Sequence, residues 1–312
     1  MMHIWLGQEQ IPSFENGCAL TIGNFDGVHL GHQHILDKLK EEAQRLGVPA
    51  VLLTFEPQPK EYFAERVHTM AAPHRLTPLR DKLTILGETG ALDHVWVMRF
   101  TAQFAGLSAE AFINDILIKA LNVKYLLIGD DFRFGSKRSG DFATLRQQTA
   151  FVTESTPTVL VENVRASSTM VREALLQGDL AEAAKVLGRP YQLSGRVKHG
   201  AKLGRTLNCP TANIHLQQKN YALSGVFVVT VQGRFGEQGG VASFGVNPTV
   251  TQTTNQKLEV HIFGLDHEIY GERLTVTFLH KLRDEAKFDG LEALQKQIYL
   301  DMQHAQAYLR SL

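Results

Sequence analysis

The residues whose types and spacing best suit a chemical role lie in one glycine-rich segment, Gly23–His32. Its histidines, His29 and His32, are three residues apart and would share one face at the start of a helix. Glycine lets a backbone turn tightly and approach a ligand, and a helix N-terminus offers unpaired N–H groups to an anion. The segment therefore suits nucleotide phosphate chemistry. Its other candidates for phosphate contact are Gly23, Asn24, Phe25, Asp26 and Gly27.

Three roles are open to the two histidines: donors to a phosphate in its transition state, metal ligands, or structural residues at a helix start. No cysteine or His-Glu set stands nearby to complete a tetrahedral zinc site, although His34 follows closely. The segment is neither a dinucleotide fingerprint nor a P-loop, since no Gly-Lys-Ser/Thr follows it. Its place between an apolar run and a helical pattern favours the phosphate role.

A second group of donors precedes another helical pattern. Ser167, Ser168 and Thr169 are residues that commonly cap helices and could do no more than that. Arg172 stands one turn further along, however. Hydroxyls, free N–H groups and a guanidinium directed at one point would hold a triphosphate well. The group is therefore a second candidate for phosphate binding, together with the histidines.

A third candidate is the loop Gly129–Gly135, which follows an apolar run. It carries acidic, aromatic and basic side chains, and we select Asp131, Phe132, Arg133 and Phe134 from it. A loop whose polar groups are internally satisfied would explain the acids. Two phenylalanines in a loop would then be exposed without a reason. Stacking of these rings on a flat ligand is the interpretation we favour.

The second half of the chain has its own candidates. The glycine segment Gly200–Arg205 could be a plain hairpin turn, or its Lys202 and Arg205 could clamp phosphates, with Gly200 and Gly204 also in contact with them. Thr211 and Asn213 alternate onto one face of a predicted strand, and oxygen ligands suit Mg²⁺. Glu259 alternates with apolar neighbours, which also fits a solvated strand carboxylate.

The elements that must position these residues follow from the apolar patterns. In the first half, short apolar runs alternate with helical patterns, which predicts a doubly wound, mainly parallel α/β sheet. Predicted strands lie at 19–22, 51–55, 94–98, 124–128, 151–153 and 158–161, with helices around 35–46, 79–86, 111–121, 142–148, 167–176 and 179–187. We expect the glycine-rich segment at the carboxyl end of the sheet, where such folds bind ligands.

The pattern changes after Gly188-Arg189-Pro190, which predicts domains at 1–187 and 188–312. Six strand patterns recur with glycine turns, at 191–197, 211–216, 226–231, 239–244, 258–263 and 274–282. This spacing predicts a small six-stranded antiparallel β-barrel, which leaves no open edge. Apolar residues at helical spacing from Leu291 to Leu309 predict a C-terminal helix packed on the barrel.

Composition narrows the class of protein. The 312 residues have 32 basic and 32 acidic side chains, so no bulk field draws the chain to nucleic acid or to an anionic membrane. No apolar run approaches the roughly 20 residues that cross a bilayer. The two cysteines, Cys18 and Cys209, form no disulfide framework. We therefore expect a cytoplasmic enzyme without nucleic-acid or membrane partners.

Taken together, these motifs resemble the bifunctional bacterial riboflavin kinase/FMN adenylyltransferases, also called FAD synthetases, over essentially the whole chain. Gly23–His32 and Ser167–Arg172 are similar to the two nucleotide motifs of the adenylyltransferase, and Gly129–Gly135 to its flavin-side loop. The kinase signatures are matched by 210–213 (PTAN), by 245–249 (GVNPT), by Glu259 and by 283–288. Asn208-Cys209 stands where the family commonly has glycine and an aromatic residue, and Asp131 where some members carry Asn.

The resemblance implies two reactions in sequence: phosphorylation of riboflavin by ATP to give FMN, then adenylylation of FMN by a second ATP to give FAD and pyrophosphate. Glu259 would be the base of the kinase, with Mg²⁺ on Thr211 and Asn213, Pro210 near ATP and Arg283 near the flavin. His29, His32 and Arg172 would stabilise charge in the adenylyl transfer. The implied ligands are ATP, riboflavin, FMN and FAD, and the chain is expected to be monomeric or weakly self-associating.

Two other functions remain open at this point. The first is a nucleotidyltransferase that acts on another small phosphate, with a barrel that only recognises substrate. The second is a non-catalytic flavin-binding or sensing protein whose nucleotide motifs have decayed. The presence of the candidate residues in all the motifs speaks against the second, since decay usually removes such residues first.

Overall fold

A computed structural model of the chain describes residues 1–7, 12–67, 71–156, 160–161, 164–200, 209–216, 220–245 and 256–312. These residues form two compact units, which we describe separately. The first unit contains residues 1–73 and 82–166, and the second contains residues 74–81 and 167–312. The compact units thus divide at Ala166/Ser167, whereas the sequence pattern predicts a domain boundary at 187/188, which stays a prediction.

The first unit is built on a six-stranded parallel sheet. Its strands are β1 (His3–Leu6), β2 (Cys18–Ile22), β3 (Ala50–Glu56), β4 (His94–Arg99), β5 (Val123–Ile128) and β8 (Val152–Ser155), in the spatial order β1-β4-β3-β2-β5-β8. The central strands are buried along almost their whole length, as a parallel sheet covered on both faces requires. The doubly wound α/β fold is therefore confirmed.

Helices connect these strands. They are α1 (Leu30–Leu46), α2 (Pro59–Arg66), α3 (Leu79–Glu88), α4 (Ala102–Ala105), α5 (Ala109–Ala111), which continues as a π-helix over Phe112–Ala120, and α6 (Phe142–Arg146). Helix α1 buries Leu36, Leu39 and Ala43 and ends at Gly47, whose φ of 67° is left-handed as expected for a helix-ending glycine. Leu46 is exposed instead of facing the core.

One predicted strand lies outside the main sheet. Leu160–Val161 (β9) pairs antiparallel with Val164–Arg165 (β10), so it does not complete the alternation. The prediction for 158–161 was wrong about its partner, because an apolar run gives no information about which strand it joins. A second small hairpin pairs β6 (Arg133–Phe134) with β7 (Gly140–Asp141), next to a 3₁₀ turn at Ser136–Arg138.

The second unit contains a closed antiparallel barrel. Its strands are β11 (Gln192–Lys198), β12 (Ala212–His215), β13 (Gly225–Gly233), β14 (Gly236–Gly245), β15 (Lys257–Ile262) and β16 (Arg273–Arg283), ordered β11-β12-β15-β14-β13-β16 around the barrel. All six predicted strands are confirmed. On β15 the residues Leu258, Val260 and Ile262 are buried inside, whereas the residues between them face outwards.

Among the described residues of this unit, helices α7 (Ser168–Gln177), α8 (Leu180–Leu187) and α9 (Leu291–Arg310) accompany the barrel. The left-handed glycines Gly178 and Gly188 end the first two, as predicted. Helix α9 packs on the barrel as expected, with Ala305 fully buried, but the predicted apolar position Leu291 is exposed. Among the residues that the structure describes, no helix is both long and apolar enough to span a bilayer.

Candidate active sites

The glycine-rich segment lies at the point where the strand order of the parallel sheet reverses. From β2 the chain builds outwards through β3 on one side and through β5 on the other. Open α/β sheets bind ligands at such a switch point, outside the carboxyl ends of the strands. Gly23–His32 follows β2, and Gly129–Gly135 follows its neighbour β5. Because these strands are parallel, the two candidate loops leave the sheet at the same edge.

The backbone of this turn is held in an unusual conformation. Phe25 and Val28 have φ of 48° and 43°, and Gly27 between them has φ of 86°. A β-branched residue such as Val28 rarely adopts a left-handed conformation, since its side chain crowds the backbone. Strained residues of this kind persist where the surrounding structure imposes them, and they cluster at functional sites. The conformation of this turn therefore marks it as a candidate functional site.

The two histidines stack on one another at the start of α1. Their ring centroids are 3.7 Å apart, and the His32 ring also stacks on Phe25 at 4.5 Å. His29 is the N-cap of α1, its Nδ1 accepts a long hydrogen bond of 3.4 Å from the His32 backbone N–H, and it is 5% exposed. His32 is half-buried. The structural interpretation of the histidine pair thus accounts for His29 in part, and His32 offers the more accessible imidazole.

Gly31 lets the His29 ring lie where it does. A Cβ atom at Gly31 would lie 3.0 Å from both Cε1 and Nδ1 of His29, and 3.2 Å from the backbone oxygen of Ala166. The metal interpretation gains no support: within the described residues, no group of three or more His, Cys, Asp or Glu is placed to hold an ion. The geometry leaves the imidazoles as candidate hydrogen-bond donors to an anion.

The Ser167–Arg172 group opens helix α7. The Ser167 hydroxyl accepts a hydrogen bond of 3.2 Å from the Met170 N–H, so this residue is the N-cap that the pattern also allowed. The Arg172 guanidinium donates from Nε to the backbone oxygen of His74 at 2.6 Å. Both residues belong to the second compact unit, and the histidines to the first. That they share one triphosphate with the histidines stays a prediction, as do the phosphate roles of Ser168 and Thr169.

The loop after β5 differs from expectation in one respect. Phe134 is 7% exposed and packs on Phe112 at 5.3 Å, so it belongs to the hydrophobic core. Stacking on a flat ligand was predicted for both phenylalanines, and the burial of Phe134 contradicts it for that ring. Phe132 is half-buried and stacks on Phe134 at 5.7 Å, whereas Asp131 and Arg133 are exposed. Of the two rings, only Phe132 keeps a partly accessible face for a flat ligand.

A buried lysine that the sequence pattern does not predict lies beneath the glycine-rich turn. Lys82, on helix α3, is fully buried and donates to the backbone oxygen of Asn24 at 2.9 Å. It also donates to the hydroxyl of Thr54, on strand β3, at 3.2 Å. Nothing in the helical pattern around Lys82 distinguishes it from a surface lysine, because its partners lie 28 and 58 residues away in sequence.

On the barrel, two of the candidate residues lie side by side on neighbouring strands of the outer wall. Asn213 on β12 lies directly opposite Glu259 on β15, and Glu259 lies opposite Ser243 on β14. Residues directly opposite on antiparallel strands have Cβ atoms about 5 Å apart. Lys198 on β11 lies opposite Asn213 on its other side, which places a cation in the same row. The sequence did not single out Lys198, since only the strand register brings it there.

Neighbouring segments contact this row and hold its side chains and backbone in place. A Cβ atom at Gly200 would lie 2.6 Å from Oδ1 of Asn213, so the turn after β11 passes directly against the amide group. His261 donates from Nδ1 to the backbone oxygen of Pro210 at 2.9 Å, which holds the segment that carries Thr211.

Burial raises the pKa of the nearby Cys209 thiol to about 11, so this thiol is not a nucleophile at neutral pH. Lys202, Gly204, Arg205, Asn208 and 246–249 lie outside the described residues.

Arg283 is engaged inside the protein. Its guanidinium donates from Nε to Oδ1 of Asp301 at 3.0 Å and from its terminal nitrogen to Oδ2 at 2.7 Å. Asp301 is 4% exposed, so this ion pair fastens helix α9 to strand β16. The structure accounts for Arg283 by this contact, and its predicted contact with the flavin stays a prediction.

Comparisons with known proteins agree with this arrangement. The FAD synthetase family model matches residues 11–170, and the Riboflavin kinase model matches residues 187–309. A bifunctional riboflavin kinase/FMN adenylyltransferase from Haemophilus influenzae is 46% identical over 299 residues, covering 95% of each chain. The protein of the same name from Escherichia coli (strain K12) is 46% identical over 292 residues, which covers 92% of this chain and 91% of the relative.

The fold also recurs in a solved structure. A crystal structure named macrolide-efflux protein, from Streptococcus pneumoniae, superposes with a TM-score of 0.78 at 31% identity and covers 96% of this chain and 97% of its own. Its name differs from that of the curated relatives, which are more similar in sequence and agree with both family models. The fold and these matches define a transferase that combines a nucleotidyltransferase with a kinase. The chain belongs to the family of bifunctional riboflavin kinase/FMN adenylyltransferases.

Proposed function

We propose that the two sites described above divide the two steps of FAD synthesis between them. As a member of this family, the chain phosphorylates riboflavin to FMN with ATP, and it adenylylates FMN to FAD with release of pyrophosphate. We assign the first reaction to the outer row of the barrel and the second to the carboxyl edge of the parallel sheet. The observation that carries the assignment is the direct pairing of Glu259 with Asn213 on neighbouring strands.

In the kinase step, Glu259 accepts the proton of the ribityl hydroxyl as that oxygen bonds to the γ-phosphorus of ATP. The bond from the γ-phosphorus to the bridging oxygen breaks, and ADP leaves. A carboxylate suits this work because it faces out of the barrel next to polar neighbours rather than into the apolar core. Lys198, in the same row, places a positive charge where phosphate charge must be balanced.

The oxygen donors of this row fit a hard cation. The Thr211 hydroxyl and the Asn213 amide oxygen would hold Mg²⁺, since both are neutral oxygen ligands and Asn213 lies opposite the Glu259 carboxylate. When bound, the ion neutralises charge on the ATP phosphates. Gly200 keeps the Asn213 amide in place, because any side chain at that position would displace it.

In the adenylyl transfer, an oxygen of the FMN phosphate attacks the α-phosphorus of ATP, and the bond to the bridging oxygen of the departing pyrophosphate breaks. The attacking group is already an anion and needs no base. His32, His29 and the N–H groups at the start of α1 therefore stabilise charge rather than remove a proton. We extend the same role to Arg172, and contact with the flavin ring to Phe132, Arg133 and Asp131.

The experiment that tests this division is chromatography of products from riboflavin, ATP and Mg²⁺. The unaltered chain is expected to form FMN and then FAD. Replacement of both His29 and His32 by Ala should abolish FAD while FMN accumulates, because the kinase site is on the other unit. Loss of both products would contradict the division, and absence of FMN from the unaltered chain would contradict the function.

We also propose that the enzyme is cytoplasmic, is monomeric or weakly self-associating, and has no nucleic-acid or membrane partners.

A further inference from the structure

Lys82 has an environment that calls for a function. It is 0% exposed and one of the largest fully buried side chains among the described residues. Lysine is almost never fully buried unless its ammonium group is paired, because removing the charge from water is costly. A sheet-facing position on α3 could be filled by leucine or methionine without that cost. The lysine must therefore provide an interaction that an apolar side chain cannot.

That interaction is with the first peptide group of the glycine-rich turn. Gly23 still donates to the Leu53 oxygen at 3.1 Å, as the last residue that follows the sheet. At the next residue, the Asn24 oxygen accepts from Lys82 at 2.9 Å and from the Thr54 hydroxyl at 3.3 Å. Lys82 and Thr54 are also bonded to one another, at 3.2 Å. The Asn24 oxygen, the Lys82 ammonium group and the Thr54 hydroxyl thus form a closed triangle of hydrogen bonds.

Fixing this carbonyl also fixes the N–H on the other side of the same peptide. The Asn24–Phe25 bond is trans, and in a trans peptide the C=O and N–H point in opposite directions. With the Asn24 oxygen held by the buried triangle, the Phe25 N–H is directed away from the sheet. Phe25 itself has a φ of 48°, so the turn would not keep this orientation without a constraint.

We propose that Lys82 is a positioning residue for the adenylyl transfer, which acts through the Asn24–Phe25 peptide. By holding the Asn24 oxygen inwards, it turns the Phe25 N–H outwards as a donor to the triphosphate of ATP and brings Phe25 under the His32 ring. Thr54 completes the same support. The inference rests on the proposed function of this turn, and it adds a residue from a different element, α3, to the machinery.

The test compares FAD formation from supplied FMN and ATP in Lys82→Met and in the unaltered chain. Methionine keeps the length and the apolar stem but cannot donate to Asn24. We expect kcat/KM to fall about a hundredfold, the effect of moving a reacting group by about 1 Å. Riboflavin phosphorylation, which takes place on the other unit, should be unchanged. Lys119→Met is the matched control, because Lys119 is an exposed lysine of the same unit, and it should leave both reactions unchanged.

Chemical rescue separates positioning from packing. Lys82→Ala removes the part of the side chain that propylammonium can replace, whereas propionitrile has similar bulk but no hydrogen-bond donor. Greater recovery of FAD formation with propylammonium supports the proposal. Equal recovery with both compounds assigns the loss to packing and overturns it, and where neither compound restores FAD formation the Thr54→Val variant decides. Unchanged FAD formation in Lys82→Met also overturns it, whereas absence of FAD in the unaltered chain would instead refute the proposed function.

If the Lys82 variants do not fold, Thr54→Val decides the question. This substitution removes one hydroxyl from the triangle and conserves the shape of the side chain and the charge of Lys82. Circular dichroism would establish that the variant is folded. Slower FAD formation with unchanged riboflavin phosphorylation is the expected result, and unchanged FAD formation would refute the positioning role.

Discussion

Glu259 and His29 are both polar residues with a predicted chemical role, and their surroundings differ. Glu259 lies half-buried on the outer wall of the barrel, between Asn213 and Ser243 on the neighbouring strands. His29 is buried and caps a helix. A carboxylate that remains accessible next to a candidate metal ligand can exchange a proton with a substrate. A buried imidazole can act on substrate only through the atoms that the turn leaves accessible.

The role of Glu259 leads to a prediction about one functional group. Glu259→Gln keeps the size of the side chain but removes its capacity to accept a proton. Riboflavin phosphorylation should fall by about 10²- to 10⁴-fold, the usual contribution of a general base. FAD formation from supplied FMN should be unaffected, which serves as the control in the same preparation. A phosphorylation rate equal to that of the unaltered chain would remove Glu259 from the mechanism.

At the scale of elements, the outer row of the barrel, to which we assign the kinase reaction, is formed by strand register and by a turn that packs against one of its side chains. Lys198, Asn213, Glu259 and Ser243 come from four strands, and the antiparallel register alone places them in one line. The turn after β11 then passes so close to the Asn213 side chain that a Cβ atom at position 200 would force the amide or the turn to move. The glycine therefore permits the observed orientation of the Asn213 amide.

This packing can be tested by adding one methyl group. Gly200→Ala would drive a Cβ atom against the Asn213 amide and displace it or the turn. We expect riboflavin phosphorylation to fall about a hundredfold, since a shift of about 1 Å at a reacting group has an effect of that order. Steady-state kinetics with riboflavin and ATP would measure it. Normal phosphorylation would show that the Asn213 amide does not need this position.

Gly87→Ala provides the matched control for that substitution. Gly87 lies in helix α3, and its new methyl group would approach only the end of the Met2 side chain, at 3.7 Å. Both reactions should continue at the normal rate. Alanine is favoured over glycine in a helix by about 1 kcal/mol, so the thermal unfolding temperature should rise slightly.

At the scale of the whole molecule, the histidine pair and the outer row of the barrel, to which we assign the two reactions, lie on separate compact units of one chain. Each unit has its own core, with a parallel sheet covered by helices in one and a closed barrel in the other. FMN is the product of one site and the substrate of the other. If FMN leaves the first site freely, the two sites need not be on the same molecule.

A mixing experiment tests this independence. One variant, Glu259→Gln, retains adenylyl transfer with a kinase slowed about 10²- to 10⁴-fold, and another, with Ala at positions 29 and 32, retains only the kinase. Alone, the first should form FAD from riboflavin slower by the same factor and the second should form none, whereas an equimolar mixture should form FAD rapidly after a lag in which FMN accumulates. Chromatography over time would follow both flavins. A mixture that accumulates FMN without FAD would contradict free exchange between molecules.

The amino-acid pattern by itself determined the class of fold and most of the elements. Alternating apolar runs and helical patterns predicted the parallel sheet, and six short strands with glycine turns predicted the barrel. Cap residues such as Ser167, Asp179 and Gly178 marked the helix ends, because their effect depends on neighbours within one turn. Motifs with fixed spacing, such as Gly23–His32, predicted the chemistry for the same reason: their members are close in sequence.

Only the tertiary structure decided what depends on residues far apart in sequence. It placed Phe134 in the core instead of in a ligand pocket, joined Arg283 to Asp301, and moved Leu160–Val161 out of the main sheet. It also brought Lys198 beside Asn213 and Lys82 beneath Asn24. Strand register and burial set these contacts, and both result from the packing of the whole chain, so no local spacing of residues encodes them.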